Sequence, residues 1–329
     1  MRIVFMGTPQ FAVCSLERLI ESQHQVVAAV TRPDRGAGRG RVSQAPPVKD
    51  LAVRHNIEVL QPERIRDEAF IEYLRNLKPD LIVVVAYGKI LPEAILEIPR
   101  LGCLNLHASL LPQLRGAAPI NWAIALGMRE TGVTIIKMDA GMDTGDILYQ
   151  ESVEILDDDD AESLSNMLSV LGAQRVLEVL SEVGGKDAIV GSPQDHSKAT
   201  YAPMLTKENG RIEWSRPTEN IVCLVRGMKP WPCAFTSTRK GVLKVLRAEP
   251  LWPAVEERIP KPHTIPPGTV ALTLRSDGFA VRTGDGFVLV TEAQPEGKRA
   301  MLGVDLVNGQ YVKKGDQLGA EEEDSAGKP

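Results

Sequence analysis

Through the first half of the chain, short apolar runs rich in Val and Ile alternate with stretches in which apolar residues recur every three or four positions. The runs at 2–6, 26–31, 57–60, 81–86, 102–106 and 132–138 have the length and β-branched content of strands. The spacing at 11–22, 67–77, 119–126 and 161–183 predicts helices. In the last of these, Leu164, Met167, Leu168, Leu171, Leu177 and Leu180 fall on one stripe. Strands that alternate with helices build a parallel sheet wrapped by helices, so a doubly wound α/β domain is expected. Asp157, Asp158, Asp159 and Asp160 run straight into the 161–183 helix, where carboxylates favour the positive end of the dipole. They read as capping residues rather than as a metal site.

The pattern changes after Gly184 and Gly185. Residues 189–206 are polar and irregular, as an interdomain linker would be, and beyond them the helical signal fades. Alternation at 241–251, 269–274, 279–283 and 287–292 predicts strands, the last two joined by the hairpin signal Thr283-Gly-Asp-Gly286. With a Pro-rich loop at 250–267, this suggests a small antiparallel barrel or sandwich. The organisation expected is a first domain over 1–188, a linker over 189–206, a second domain over 207–315 and an acidic, disordered tail over 316–329.

A length of 329 residues is about twice the usual domain size and agrees with two domains. Composition, at 43% hydrophobic and 25% charged, excludes a collagenous, coiled-coil or wholly disordered chain. No apolar run reaches the roughly 18 residues of a membrane span. The chain enters its first strand at once, without a leader pattern, so a cytoplasmic protein is expected. Cys14, Cys103, Cys223 and Cys233 are scattered, with no C-x-x-C pair, and are expected to be reduced and to bind no metal. Charge is more informative. The net −5 divides into 20 Lys and Arg against 27 Asp and Glu over 1–205, 17 against 11 over 206–315, and 1 against 5 from Asp316 onward. The second domain is thus basic, as suits a polyanionic partner.

The loop Met6-Gly-Thr-Pro-Gln10 has one glycine where a dinucleotide fingerprint needs three. A nucleophile elbow and a phosphate-binding loop are absent as well. Two other segments carry candidate chemistry. After the second strand, Arg32, Arg35, Arg39 and Arg41 are interleaved with Gly36, Gly38 and Gly40. Arginine forks grip phosphates, so this is either a nucleic-acid contact or a solvated loop. At the fifth strand Asn105 and His107 lie two residues apart, hence on one face, at a carboxyl end where open α/β sheets place their ligands. A later loop offers Asp139, Asp143 and Asp146. Amide, imidazole and carboxylate together can stabilise a tetrahedral oxyanion and move protons without a covalent intermediate. The alternatives are a satisfied strand-end histidine and a cation loop, although the aspartate spacing does not fit an EF-hand.

Asn105-Leu-His107 followed by Ser109-Leu-Leu-Pro112 resembles the signature of the 10-formyltetrahydrofolate-dependent formyltransferases. Met6-Gly-Thr-Pro9, the 35–41 loop, Leu114-Arg-Gly-Ala-Ala-Pro-Ile-Asn-Trp122 and Lys229-Pro-Trp-Pro232 resemble the branch of that family that acts on initiator methionyl-tRNA. The resemblance runs from residue 1 to about residue 315. It implies a Rossmann-like formyltransferase domain followed by an all-β, oligonucleotide-binding (OB) type barrel. It implies Asn105, His107 and Asp143 as catalytic residues, and Ser109, Leu110, Leu111 and Pro112 as folate contacts, with Lys89, Ile90 and Leu91 bordering the pterin. It further implies that Arg35, Arg39 and Arg41 contact the acceptor stem of initiator tRNA while the basic second domain touches the tRNA body. The donor would be 10-formyltetrahydrofolate, with no metal, and the enzyme a cytoplasmic monomer. A rival is a folate-dependent formyltransferase acting on an amino sugar or other small amine, against which the glycine-arginine loop and the basic second domain argue. A non-catalytic RNA- or folate-binding protein on the same scaffold would have no need of Asn105, His107 and Asp143 together.

Overall fold

The structure is a computed structural model that describes residues 1–37 and 42–319. The chain divides into two compact units. The first comprises Met1–Ile120, Glu130–Ile155 and Ser163–Met204. Its sheet has seven strands: β1 (Arg2–Gly7), β2 (Gln25–Val30), β3 (Val59–Leu60), β4 (Leu81–Val85), β5 (Cys103–His107), β6 (Glu130–Lys137) and β7 (Asp146–Glu154). They lie in the order β7-β6-β5-β4-β1-β2-β3. The run from β3 to β5 is parallel, whereas β6 and β7 pair antiparallel at the far edge.

Every residue of β4 is buried, which explains why it reads as an unbroken apolar run rather than an alternating one. On one face Val4, Met6, Ala28, Val30, Ile82 and Val84 pack with Ile71 and Leu74 of the helix Glu68–Asn76. Each of the Val, Met, Ile and Leu side chains among them stabilises the unit by about 1.5–3 kcal/mol relative to exposure. The expected α/β organisation is present, with further elements beyond the expectation, a helix and a long edge strand among them. The helix Pro47–Arg54 begins at a proline, which the first helical position tolerates because its N–H would be unpaired there anyway. The strand β7 has mixed burial and follows a glycine-aspartate loop that conceals its start.

The stretch expected to be a linker is held down on the first unit as far as Met204. Tyr201 and Ala202 pair in parallel with Arg115 and Gly116, Ser192 bridges to Ile147, and Gln194 is buried. Ahead of the long helix, Glu162 N donates to Asp160 Oδ1 at 3.0 Å, the contact of a capping residue.

The second unit comprises Asn121–Arg129, Leu156–Glu162 and the chain from Leu205 onward. Its strands β8 (Ala234–Thr238), β9 (Gly241–Pro250), β10 (Val270–Leu274), β11 (Gly278–Arg282) and β12 (Phe287–Pro295) pair antiparallel in the order β8-β9-β12-β11-β10. A short β13 (Met301–Leu302) lies against β12. The hairpin at Thr283–Gly286 is closed by Thr283 N donating to Gly286 O at 3.0 Å. Among the described residues no ladder joins β8 to β10, so the sheet is open. The fading of the helical signal is corrected by the helix Thr218–Gly227, which packs Ile221 and Val225 against Val245, Phe279 and Val290. It is short and follows a polar stretch, so its apolar stripe spans few turns. Residues 316–319, expected to belong to the tail, are packed: Val270 N donates to Asp316 O at 2.8 Å and Leu318 is buried. The remainder of the expected tail, 320–329, lies outside the described residues. Among the described residues no helix is long and apolar enough to cross a membrane.

Candidate active site

The strand β5 carries Asn105 and His107 on one face at its carboxyl end, paired with Ile136 and Thr134 of β6. Both side chains are nearly buried, at 8% and 6% exposure. Asp143 sits in the turn between β6 and β7. That turn is tied at its start by Asp139, whose Oδ1 accepts from Gly141 N at 3.0 Å and from Thr144 Oγ1 at 2.6 Å. Of the three candidate aspartates, Asp139 is thus spent on the turn and Asp146 starts an edge strand, while Asp143 reaches the β5 residues. Asp143 Oδ1 accepts from Asn105 Nδ2 at 3.2 Å, and Oδ2 accepts from Gly116 N at 2.9 Å. His107 Nδ1 lies 3.6 Å from Asp143 Oδ2, too far for a hydrogen bond but close for a charge.

The other imidazole nitrogen, Nε2, is 2.9 Å from Leu114 O. A carbonyl only accepts, so Nε2 carries the hydrogen and Nδ1 is the nitrogen left for chemistry. Three consecutive residues therefore serve the site: the Leu114 carbonyl orients His107, the Arg115 side chain holds Gln194, and the Gly116 amide holds Asp143.

Downstream of His107, Ser109 and Leu111 point inward. Thr134 Oγ1 donates to Ser109 O at 2.6 Å and accepts from Leu111 N at 3.1 Å, and Gln150 Nε2 donates to Leu111 O at 2.8 Å. Leu110 and Pro112 are left half-buried. Lys89 Nζ donates to Pro62 O and Glu63 O, Ile90 is 64% exposed, and Leu91 is a core residue beside Ile95. Burial pushes the Cys103 thiol up to about 12, so this neighbour of Asn105 stays protonated and is no nucleophile.

Arg35 begins a hairpin strand that pairs with Val42–Gln44, while Arg39 and Arg41 lie outside the described residues. At the root of that hairpin Lys49 Nζ bonds both Asp34 carboxylate oxygens and Gln61 Oε1. The Lys49 and Gln61 hydrogen bonds hold the Asp34 carboxyl below its ordinary range. Among the described residues no group of three or more His, Cys, Asp or Glu side chains is placed to hold a metal.

Sequence reasoning overlooked Thr134, Gln150 and Gln194, and it used Leu114 and Gly116 only as letters of a motif. What these residues do is set by contacts across the sheet, which leave no local pattern.

Residues 1–180 match the family described as Formyl transferase, and residues 204–311 match Formyl transferase, C-terminal domain. The chain belongs to the formyl transferase family. A curated relative of this formyltransferase, the methionyl-tRNA formyltransferase of Acetivibrio thermocellus, is 46% identical over 319 residues, which cover 97% of this chain and 100% of that protein. HypX from Aquifex aeolicus, solved in complex with tetrahydrofolic acid, superposes at a TM-score of 0.61 with 21% identity, covering 95% of this chain and 48% of HypX. WlaRD, a sugar 3N-formyl transferase, superposes at 0.63 with 17% identity, covering 91% of this chain and 99% of WlaRD. The chain spans about half the length of HypX, and at these identities the two structures speak for the formyltransferase fold alone.

Proposed function

We propose that this formyltransferase moves the formyl group of 10-formyltetrahydrofolate to the α-amino nitrogen of methionine esterified to initiator tRNA. The observation that carries this is the 46% identity to a methionyl-tRNA formyltransferase over 97% of the chain, both units included. The site geometry supplies a fitting mechanism. The nucleophile is the neutral amine, and α-amino groups titrate at about 7.7–8.0, so no strong base is required. Its nitrogen bonds to the formyl carbon, whose oxygen becomes an oxyanion. The second N–H of Asn105 and, with His107 protonated, its Nδ1–H donate to that oxygen, both from nearly buried side chains. Asp143 balances charge on His107 and relays the amine's proton to the folate nitrogen as the carbon–nitrogen bond to folate breaks.

The segment Ser109 to Pro112, with Lys89 to Leu91 at its border, contacts the folate. Arg35, Arg39 and Arg41 grip the acceptor stem. In this reading the catalytic chemistry belongs to the first unit, which includes residues 189–204. Residues 207–315 form an OB-like module whose basic balance suits the tRNA body. The enzyme acts in the cytoplasm as a monomer. The deciding experiment follows radiolabelled formyl from 10-formyltetrahydrofolate to methionyl-initiator tRNA, with methionyl-elongator tRNA and amino sugars alongside. Labelling of the initiator alone supports this reading. Labelling only of a small amine overturns the acceptor, and no transfer at all overturns the activity.

A further inference from the structure

Behind Asp143, away from the groups that would meet substrate, lies a second polar cluster built from Arg115, Gln194 and His196. Gln194 is 6% exposed and Arg115 3%. Gln194 Nε2 donates to two backbone carbonyls of the turn that carries Asp143, to Asp143 O at 2.8 Å and to Gly145 O at 2.7 Å. Its Oε1 accepts from Arg115 Nε at 3.2 Å and Nη2 at 2.6 Å, and the same Nη2 lies 3.0 Å from His196 Nδ1. A carboxamide has two donors and two acceptor positions, and here all four are occupied. Its orientation is forced by chemistry. A guanidinium only donates, so the amide oxygen must face Arg115 and the NH2 must face the carbonyls.

Asp143 needs this support, because its backbone has φ 55°, in the left-handed region that a residue with a Cβ adopts only at a cost. Asp139 ties the start of the turn, and Gln194 ties its end. Burying a guanidinium is expensive unless it is well hydrogen-bonded. Among the described residues the Arg115 guanidinium bonds Gln194 Oε1 and lies against His196 Nδ1, and neither partner is a carboxylate. A permanent cation there dictates which way the amide points and, by polarising it, strengthens its N–H donors.

We infer that Gln194, oriented by Arg115, is a positioning residue for formyl transfer. It sets the backbone of Asp143 so that the carboxylate meets Asn105, Gly116 and the edge of His107. This inference rests on Asp143 acting in the proposed reaction.

The test compares full-length wild type, Gln194→Ala, Gln194→Glu, Asp143→Ala and the double variant Gln194→Ala/Asp143→Ala, by steady-state and single-turnover transfer to methionyl-initiator tRNA. Both Gln194 variants are expected to lose about 10- to 100-fold in kcat, the effect of misplacing a group by about 1 Å, with folate KM changed less than about twofold. Gln194→Glu keeps a partner for Arg115 while its second oxygen repels the two carbonyls. It is therefore expected to lose kcat at temperatures well below its own unfolding temperature, a loss that unfolding would not produce. In the Asp143→Ala background, Gln194→Ala is expected to change the single-turnover rate by less than about twofold. A Gln194→Ala enzyme with wild-type kcat, or equal fold-losses in both backgrounds, overturns the inference. An Asp143→Ala enzyme as fast as wild type overturns instead the reading of Asp143 on which it rests.

Discussion

His107 Nδ1 and Asp143 Oδ2 face each other at 3.6 Å, and the same oxygen accepts the Gly116 N–H at 2.9 Å while Oδ1 accepts from Asn105. The carboxylate is thus committed as an acceptor through both oxygens. Asp143→Asn would offer one acceptor oxygen and turn an NH2 toward either Gly116 or Asn105, donor against donor. We expect kcat to fall by about 10²-fold or more, with little change in folate KM. Steady-state kinetics against 10-formyltetrahydrofolate checks this, and near-normal turnover would remove Asp143 from the mechanism.

Replacing Asn105 or His107 by Ala removes one stabilising group for the oxyanion. Each change should lower turnover by about 10²–10³-fold without unfolding the chain. Circular dichroism would verify the fold, and a folded variant that keeps its rate would sink the assignment.

Arg39→Ala should act on the other substrate. Loss of a phosphate contact raises KM for tRNA and reduces the slope of log affinity against log salt by about 1, leaving folate KM unchanged. Equal losses for both substrates would refute a tRNA role for the glycine-arginine loop.

The extent to which the molecule could be read from its sequence follows from how local each feature is. The buried run Leu81-Ile-Val-Val-Val85 and the Asn105-Leu-His107 pair declare themselves through residue type and a spacing of two. In contrast, β7 mixes exposed and half-buried positions, and the helix Thr218–Gly227 is too brief for a clear period. Gln194 is least legible. Its partners at Asp143, Gly145 and Arg115 stand 51, 49 and 79 residues away, in a stretch whose polarity reads as solvent-facing linker.

Stability should depend on pH through Glu151. The Arg175 hydrogen bond, helped by Tyr149 and opposed by desolvation, holds its carboxyl below the ordinary value of 4.5. A depressed carboxylate contributes stability that is present above its unfolded value and is lost as pH falls through the folded one. The unfolding temperatures of wild type and Glu151→Gln should therefore differ by a few degrees at pH 7 and draw together as the pH falls below 4.5 and through the folded value. Calorimetry from pH 7 down through the acid limb checks this, and a gap that stays constant as the pH falls below 4.5 would contradict it.

Gly132 couples the antiparallel edge of the sheet to the segment beside His107. It lies in β6 opposite Ser152 of β7. A Cβ added there would overlap the Glu151 carbonyl oxygen and come within 2.6 Å of Leu110 Cδ2. The first obstacle is backbone and can yield only if β7 moves away from β6. The second is the end of a flexible side chain and can yield if Leu110, itself in the proposed folate segment, changes its side-chain conformation. Gly132→Ala should therefore cost about 1–3 kcal/mol of stability, as overpacking does, and raise folate KM as well. Adding Leu110→Ala relieves the second clash but not the first, so the double variant should stay destabilised. Thermal unfolding read together with folate KM separates the two effects. A Gly132→Ala chain as stable as wild type would mean that β6 and β7 are not held at this spacing.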